Sequence, residues 1–154
     1  MKGNEKLIAV LNDLLADELT AINQYMVHAE MCANWKFDKL ADYVEKRAIQ
    51  EMKHAEMHIG RILFLEGSPI VSILNPMHIG ATVEAQLKND QDAEVGAVKA
   101  YNEAIALAVA VSDNGSREML EKILKDEEEH LDWLEAQLEQ ISQIGLKGYL
   151  MEQI

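Results

Sequence analysis

One short motif occurs twice in this chain of 154 residues. The segment Glu51-Met52-Lys53-His54 has the spacing Glu-x-x-His, and the same spacing returns 76 positions later (127 minus 51) in Glu127-Glu128-Glu129-His130. A further glutamate precedes each copy by 33 positions (51 minus 18, 127 minus 94), namely Glu18 and Glu94. The chain therefore contains a first half-site (Glu18, Glu51, His54) and a second half-site (Glu94, Glu127, His130) with identical internal spacing.

The spacing of the half-sites predicts helices whose Glu and His side chains face a common point inside the protein. Residues three apart lie on one face of an α-helix, so the Glu and the His of each motif can point at a common object. Glu18 and Glu94 interrupt runs of apolar residues at helical spacing, and a carboxylate in such a seam needs a partner because burying an unpaired charge is costly. A pair of metal ions is one partner and a network with Arg or Lys is the other. The matching spacing of the two half-sites favours the metal ions.

Composition favours a helical, water-soluble protein. Apolar residues make up 49% and charged residues 27%, and only two prolines and eight glycines interrupt the chain. We therefore expect a single all-α domain over residues 1–154. The chain shows neither a signal-peptide pattern nor a run of about 20 apolar residues, and Cys32 is its only cysteine, so we expect a cytoplasmic location without a membrane span. The net charge of −13 argues against binding nucleic acid through a basic surface and suits a protein that attracts cations.

Periodicity and turn residues predict four long helices and a short fifth. Asn4 is the predicted N-cap of the first helix. A lone subunit offers the apolar tail 146–154 no evident place, so we expect the small helix predicted there to dock on another surface. The predicted bounds are 4–34, 36–65, 82 to about 111, and 116–144 after the turn cluster 112–115, with a long loop over 66–80.

The donor types indicate which metals the half-sites suit. Four carboxylates and two imidazoles without a thiolate suit iron or manganese better than a structural zinc site. One Glu from each of two helices and Glu-x-x-His from each of the other two is the ligand set of di-iron carboxylate helix bundles. Applying that pattern, we predict Glu51 and Glu127 as bridging ligands, Glu18 and Glu94 as terminal ligands, and one histidine, His54 or His130, for each metal.

Over its whole length the chain resembles the bacterioferritin family. The strings that carry the resemblance are Met1-Lys2-Gly3, Ala21-Ile22-Asn23-Gln24-Tyr25, Glu51-Met52-Lys53-His54-Ala55, Arg61-Ile62-Leu63-Phe64-Leu65-Glu66-Gly67 and Asp126-Glu127-Glu128-x-His130. The resemblance implies a ferritin-like four-helix bundle with a long crossover loop, in a homo-oligomeric shell of 24 subunits built of two-fold dimers. It also implies oxidation of Fe(II) by O2 or H2O2 at a di-iron centre formed by the two half-sites, and storage of a ferric mineral inside the shell.

The resemblance further implies haem b shared between two subunits. Met52 is at the position of the methionine that each subunit of a bacterioferritin dimer contributes to the haem iron, and a ferredoxin would deliver electrons for iron release. The alternative is that Met52 only packs in the dimer interface. Lys46 and Gln50 stand where some family members have a His and an Asp that bind a further iron at the inner surface. That accessory site is not expected here.

Four other residues near the half-sites have predicted roles. Tyr25 and Tyr101, which also lie 76 positions apart, are predicted to hydrogen-bond ligating carboxylates on facing helices. His58 is either such a supporting group or a solvated side chain. His28 lies ten residues from Glu18, about 15 Å along a helix, and is not expected to be a ligand.

Three rival functions follow from the same residues. A di-iron oxidase or peroxidase without storage would form a small oligomer. A DNA-protecting dodecamer would place its ligands between subunits and often carries a basic tail. A metal-free structural bundle would leave the duplicated half-sites unexplained.

Overall fold

The computed structural model describes residues 1–154 and contains only helices. The predicted all-α class is confirmed. The five helices are α1 (Glu5–Asn34), α2 (Asp38–Phe64), α3 (Val83–Ala110), α4 (Asn114–Ile144) and α5 (Leu146–Met151).

Side-chain caps and left-handed residues define where the helices begin and end. Asn4 Oδ1 accepts hydrogen bonds from the backbone amides of Lys6 and Leu7 at 3.0 and 3.1 Å, as the predicted N-cap of α1 should. The helix α2 was predicted from residue 36, but Lys36 has φ of 68° in the tight turn and the helix begins only at Asp38. The fourth helix begins earlier than predicted, because the turn ends at Asp113, whose side chain caps α4.

The four long helices enclose a polar centre between two apolar ends. The helix α1 packs against α2, and α3 packs against α4, as two hairpins. At one end, leucines and alanines of all four helices form a cluster around Leu11, Ile62 and Leu120. At the other end, a second cluster includes Leu40, Leu87, Leu134 and Ile141. Buried glutamates and histidines lie between these clusters, so apolar packing fixes the helices on both sides of the charged centre.

A long crossover, residues 65–82, returns along α1 and joins the hairpins. Because α2 and the crossover run in opposite directions along the bundle, α3 begins beside the start of α2 and runs parallel to it. Polar side chains of α1 accept hydrogen bonds from backbone amides of the crossover at 2.8 to 3.0 Å, which satisfies an extended segment that has no strand partner. The donor and acceptor pairs are Ile70 and Asn12, Asn75 and Thr20, His78 and Gln24, and Gly80 and His28.

The C-terminal tail has a place within the subunit, contrary to the sequence-based expectation. Tyr149 of α5 is buried, its ring packs on the second apolar cluster, and its hydroxyl donates to Gln137 Oε1 of α4 at 2.8 Å. The backbone amide of Lys39 donates to the carbonyl of Gln153 at 3.1 Å. These contacts close one end of the bundle. None of the helices combines the length and the apolar character needed to cross a membrane.

Candidate metal centre

The structure brings all six residues of the two half-sites together in the middle of the bundle. Each is at most 4% exposed. Their donor atoms form two overlapping groups, in each of which the atoms lie within 4.8 Å of one another. The first group is Glu18, Glu51, His54 and Glu127, and the second group is Glu51, Glu94 and His130. Glu51 belongs to both groups, which is the position a bridging carboxylate requires.

His54 faces three carboxylates with one ring nitrogen. Its Nδ1 lies 2.9 Å from both Glu51 Oε2 and Glu127 Oε1, and 3.7 Å from Glu18 Oε2. One N–H can serve only one of these acceptors well. The other ring nitrogen, Nε2, lies 3.0 Å from Asp126 Oδ2. A carboxylate behind a histidine in this way fixes the ring orientation and raises its basicity as a ligand.

The second half-site is organised around Glu94. His130 Nδ1 lies 2.8 Å from Glu94 Oε1, and the Tyr25 hydroxyl donates to the same oxygen. The Tyr25 and His130 rings meet edge to face with their centroids 5.5 Å apart. Glu94 is thus positioned by groups from α1 and α4.

The predicted tyrosine hydrogen bonds are confirmed on both sides of the centre. Tyr25 of α1 donates to Glu94 of α3, and Tyr101 of α3 donates to Glu18 of α1. Each tyrosine therefore crosses between the same two helices in opposite directions, so the internal repeat of the sequence is also a repeat in space.

His58 is a supporting group and not a solvated side chain. It is fully buried, and its Nε2 lies 2.7 Å from the Tyr101 hydroxyl. Because that hydroxyl gives its proton to Glu18, it accepts the His58 N–H. Burial, together with the charge of His54, lowers the pKa of His58 to about 3, so the ring is neutral. Through Tyr101, His58 thus helps to orient the carboxylate of Glu18.

His28 and Asp90 form a separate buried pair at one end of the crossover. His28 Nδ1 lies 2.9 Å from Asp90 Oδ1, and His28 Nε2 accepts the Gly80 amide at 3.0 Å. Gln24 Nε2 donates to Asp90 at 2.8 Å. The expectation that His28 is outside the centre agrees with these contacts, which instead fix the crossover to α1.

Crowded carboxylates give the centre a strong demand for positive charge. Burial, and then the charge of Glu51, raise the pKa of Glu18 well above its ordinary value. Burial and the neighbouring Glu94 raise the pKa of Glu127 to about 11. Burial opposes ionisation of Glu94, but its interactions with the neighbouring Glu127 and His130 outweigh burial and lower its pKa to about 2. Neighbouring carboxylates that do not all ionise together are typical of a site that holds cations.

Two oxygens at the centre have no hydrogen-bond donor of their own. Glu94 Oε2 and Glu127 Oε1 are buried, and Glu127 Oε1 competes with Glu51 Oε2 for the single N–H of His54 Nδ1, although buried polar atoms in proteins are nearly always satisfied. A cavity of about 540 Å³ reaches the centre beneath the crossover, and Glu18, Glu51, Glu94 and Glu127 line it. Hard oxygen donors, two imidazoles and oxygens without a hydrogen-bond donor of their own fit divalent iron. The role of the six residues as ligands stays a prediction.

Sequence reasoning missed two neighbours of the centre. Asp126 of α4 lies behind His54 and supports its ring. Arg47 is 6% exposed and donates from Nη2 to Glu51 Oε1 at 2.8 Å. The spacing of four residues between Arg47 and Glu51 was the available signal for this pair.

The remaining family positions lie on other faces of α2. Met52 is 45% exposed although its neighbour Glu51 is 1% exposed, as adjacent residues on a helix should be. Lys46 is exposed, and Gln50 Oε1 accepts from Arg47 Nη1 at 2.5 Å. The side chain of Gln50 is therefore engaged with Arg47.

Comparison with known proteins identifies the family. The model of the ferritin-like domain matches residues 8–144. The chain is 41% identical to a protein named bacterial ferritin from Synechocystis sp., covering 100% of this chain and 99% of that protein. The chain belongs to the bacterioferritin family. It is also 38% identical to bacterioferritin of Brucella melitensis, covering 97% of this chain and 92% of that protein. With bacterioferritin of Rhodobacter capsulatus it shares 40% identity over 98% of this chain and 94% of that protein.

Proposed function

We propose that this bacterioferritin oxidises Fe(II) at a centre formed within one subunit by the two half-sites, and that residues 1–154 act as one domain. The chain functions in iron storage as a ferroxidase, in keeping with its family. The observation that carries the residue assignment is the convergence of six buried donor side chains from four helices, with two carboxylate oxygens left without a hydrogen-bond donor of their own.

Each residue of the centre has a separate role in this proposal. Glu51 and Glu127 bridge two cations, since Glu51 belongs to both donor groups and Glu127 lies beside His54. Glu18 and Glu94 are terminal ligands held in place by Tyr101 and Tyr25. Two bound Fe(II) ions supply one electron each to O2 or H2O2.

Proton release accompanies cation binding at this centre. The raised pKa values of Glu18 and Glu127 mean that these carboxyl groups hold protons before a cation arrives. A ligand must be deprotonated to bind, so the two protons leave as the cations enter. Apparent affinity for Fe(II) therefore increases with pH.

The ferric product is stored as a mineral inside a homo-oligomeric shell of 24 subunits. Apolar side chains that are 45 to 51% exposed lie on α1 and α2, among them Met26, Ile49 and Met52. A second copy related by a two-fold axis would cover such residues, because isologous dimers bury one apolar face against itself. The net charge of −13 favours the approach of cations to the shell, which we place in the cytoplasm.

The thioether of Met52 fits a role as a haem ligand. It is exposed on the side of α2 opposite to the centre, where a methionine of a second subunit could approach the same iron from the other side. Sulfur ligands of this kind raise the potential of haem iron. Haem b held in this way would pass electrons from a ferredoxin to the stored mineral.

The proposal is tested by removing the negative charge of each bridging carboxylate in turn. Glu51→Gln and Glu127→Gln keep the size of the side chain but remove an anionic bridge. We expect each to slow the fast phase of Fe(II) oxidation, followed by stopped-flow absorbance, by at least about tenfold, the lower bound for loss of a supporting group. The control is Glu56→Gln, which changes an exposed glutamate of the same helix. An unchanged fast phase in both bridge variants would refute the assignment.

A further inference from the structure

A buried arginine lies against the shared carboxylates of the centre. Arg47 Nη2 donates to Glu51 Oε1 at 2.8 Å and lies 3.9 Å from Glu127 Oε2. Its Nη1 donates to Gln50 Oε1 at 2.5 Å, which holds the guanidinium in this direction. The Nε atom has no hydrogen-bond partner. The charge is therefore fixed at the bridging positions by two of the three nitrogens of the group.

Arg47 and His54 lie on opposite sides of the two shared carboxylates. Glu51 Oε1 and Glu127 Oε2 face Arg47 Nη2 at 2.8 and 3.9 Å, whereas Glu51 Oε2 and Glu127 Oε1 each lie 2.9 Å from His54 Nδ1. Because His54 belongs to the first half-site, the charge of Arg47 acts mainly on the second position. The donor groups show the same asymmetry. Four residues converge around the first half-site, whereas three converge around Glu94 and His130. Arg47 has no counterpart in the internal repeat, because the residue 76 positions later (47 plus 76) is Ile123.

The charges at the centre set how many cations it can hold. Once the protons have left, the four carboxylates carry four negative charges, and two divalent cations neutralise them completely. With Arg47 present, one divalent cation leaves one negative charge and two leave one positive charge. The net charge of the site therefore changes sign when the second cation arrives, and in a buried centre the repulsion between this cation and Arg47 is weakly screened.

We propose that Arg47 makes the two cation positions unequal, so that the position of the second half-site fills second and empties first. This inference rests on the proposed function. Two trivalent ions would leave three positive charges with Arg47 and two without it, so the arginine also favours departure of the oxidised product. In this chain the second position then holds iron in transit, and the first position holds it more tightly.

Binding of Co(II) to the assembled protein, freed of metal, tests the inference without relying on catalysis. Visible absorption of Co(II) in a centre of carboxylates and imidazoles separates these ions from hydrated ions at the acidic surface. We expect two ions per subunit in the wild type, the second bound at least about tenfold more weakly than the first. In Arg47→Gln the ratio between the two dissociation constants, here called the affinity gap, should fall at least about tenfold because the second ion binds more tightly.

Matched variants separate charge from packing. Arg47→Lys keeps the charge and should preserve the affinity gap between the two Co(II) ions. Lys46→Gln removes a charge from an exposed neighbour and should leave both affinities unchanged. Arg47→Met, which also lacks charge and has a similar length, replaces the Gln variant if that protein does not assemble. An unchanged or wider affinity gap in the charge-free variants would overturn the role of Arg47 alone. Fewer than two Co(II) ions at the wild-type centre would overturn the proposed function as well.

Discussion

The Tyr101 hydroxyl connects two groups that would otherwise be left unpaired in the interior. It donates to Glu18 and accepts from His58 Nε2, and all three side chains are at most 4% exposed. A phenol suits this position because it is neutral, rigid and able to donate and accept at once. The Tyr101 hydroxyl therefore fixes the direction of the Glu18 carboxylate.

Replacing Tyr101 with Phe should lower the cation affinity of the first half-site while the aromatic ring continues to fill the core. The ring remains, but Glu18 loses its donor and His58 loses its acceptor, so we expect the free energy of unfolding to fall by about 1–3 kcal/mol. Affinity for the first Co(II) should fall about 10–100-fold. Thermal unfolding and Co(II) titration measure the two effects.

Tyr43→Phe is the matched control, because the Tyr43 ring stacks on Trp133 and its hydroxyl makes no hydrogen bond within the chain. Equal effects of the two substitutions would contradict the role given to the Tyr101 hydroxyl.

Repeated residues near the centre could be assigned a role from the sequence. For His58, which is not repeated, two roles were left open, and Arg47 and Asp126 were missed. The half-sites and both tyrosines could be recognised because each occurs twice at one spacing. His58, Arg47 and Asp126 occur once, since Leu134, Ile123 and Gln50 occupy the corresponding positions of the other half. The contacts of His58 and Asp126 depend on which facing helix lies within reach, and helical periodicity alone does not contain that information. Arg47 contacts Glu51 of its own helix, so the spacing allowed this pair but did not show that the arginine would be buried.

At the scale of helices, the start of α4 is tied to the end of α2 by one aspartate. Asp113 accepts from the Ser116 amide at 2.9 Å and from the Ser116 hydroxyl at 2.8 Å, and Arg61 Nη2 donates to it at 2.6 Å. Partial burial opposes its charge, but the hydrogen bonds with Ser116 and the charge of Arg61 outweigh it, so the pKa of Asp113 lies below its ordinary value of 3.8. Its ionised form thus stabilises the join between the two hairpins.

Replacing Asp113 with Ala should lower stability in a pH-dependent way. Loss of this N-cap costs about 1–2 kcal/mol, equivalent to roughly 2–4 °C in the unfolding midpoint for each kcal/mol. A lowered pKa in the folded state gives stability that is present above the ordinary pKa and is lost as pH falls through the folded value. The difference in the free energy of unfolding between this variant and the wild type should therefore reach its largest value at pH 7 and should shrink below pH 3.8.

Thermal unfolding across that pH range measures the difference, and Asp132→Ala, at an exposed position of α4, serves as the control. A difference that stays constant with pH would show that Asp113 does not act through its charge.

Helix bounds followed from the sequence more readily than the attachments between helices. The N-cap Asn4 and the loop over the crossover were predicted because Asn, Gly and Pro have local conformational preferences. Lys36 in a left-handed turn was not predicted, since tertiary closure of the hairpin places a residue there that would ordinarily avoid this region. The docking of α5 also depends on a surface formed by distant residues, which no local pattern reveals.

For the assembled molecule, Met52 offers a direct test of haem binding. Met52→Leu conserves apolar volume but removes sulfur, so we expect the shell to assemble normally and the haem content to fall to near zero. Size-exclusion chromatography and the visible spectrum after addition of haem b measure these properties. Met57→Leu, at a partly buried position on the first apolar cluster, should bind haem as the wild type does. Full haem content in the Met52 variant would exclude this residue as the ligand.

One turn of α2 directs some of its side chains into the bundle and others to the surface of the subunit. Glu51 and His54 face the centre while Met52 and Lys53 between them are exposed. Inserting or deleting a single residue here would rotate everything beyond it by about 100°, carrying the acidic side chain out to solvent and the sulfur inward. The register of this helix thus couples the chemistry inside each subunit to the way subunits meet. Natural length variation in this protein should consequently be confined to the crossover and the chain ends.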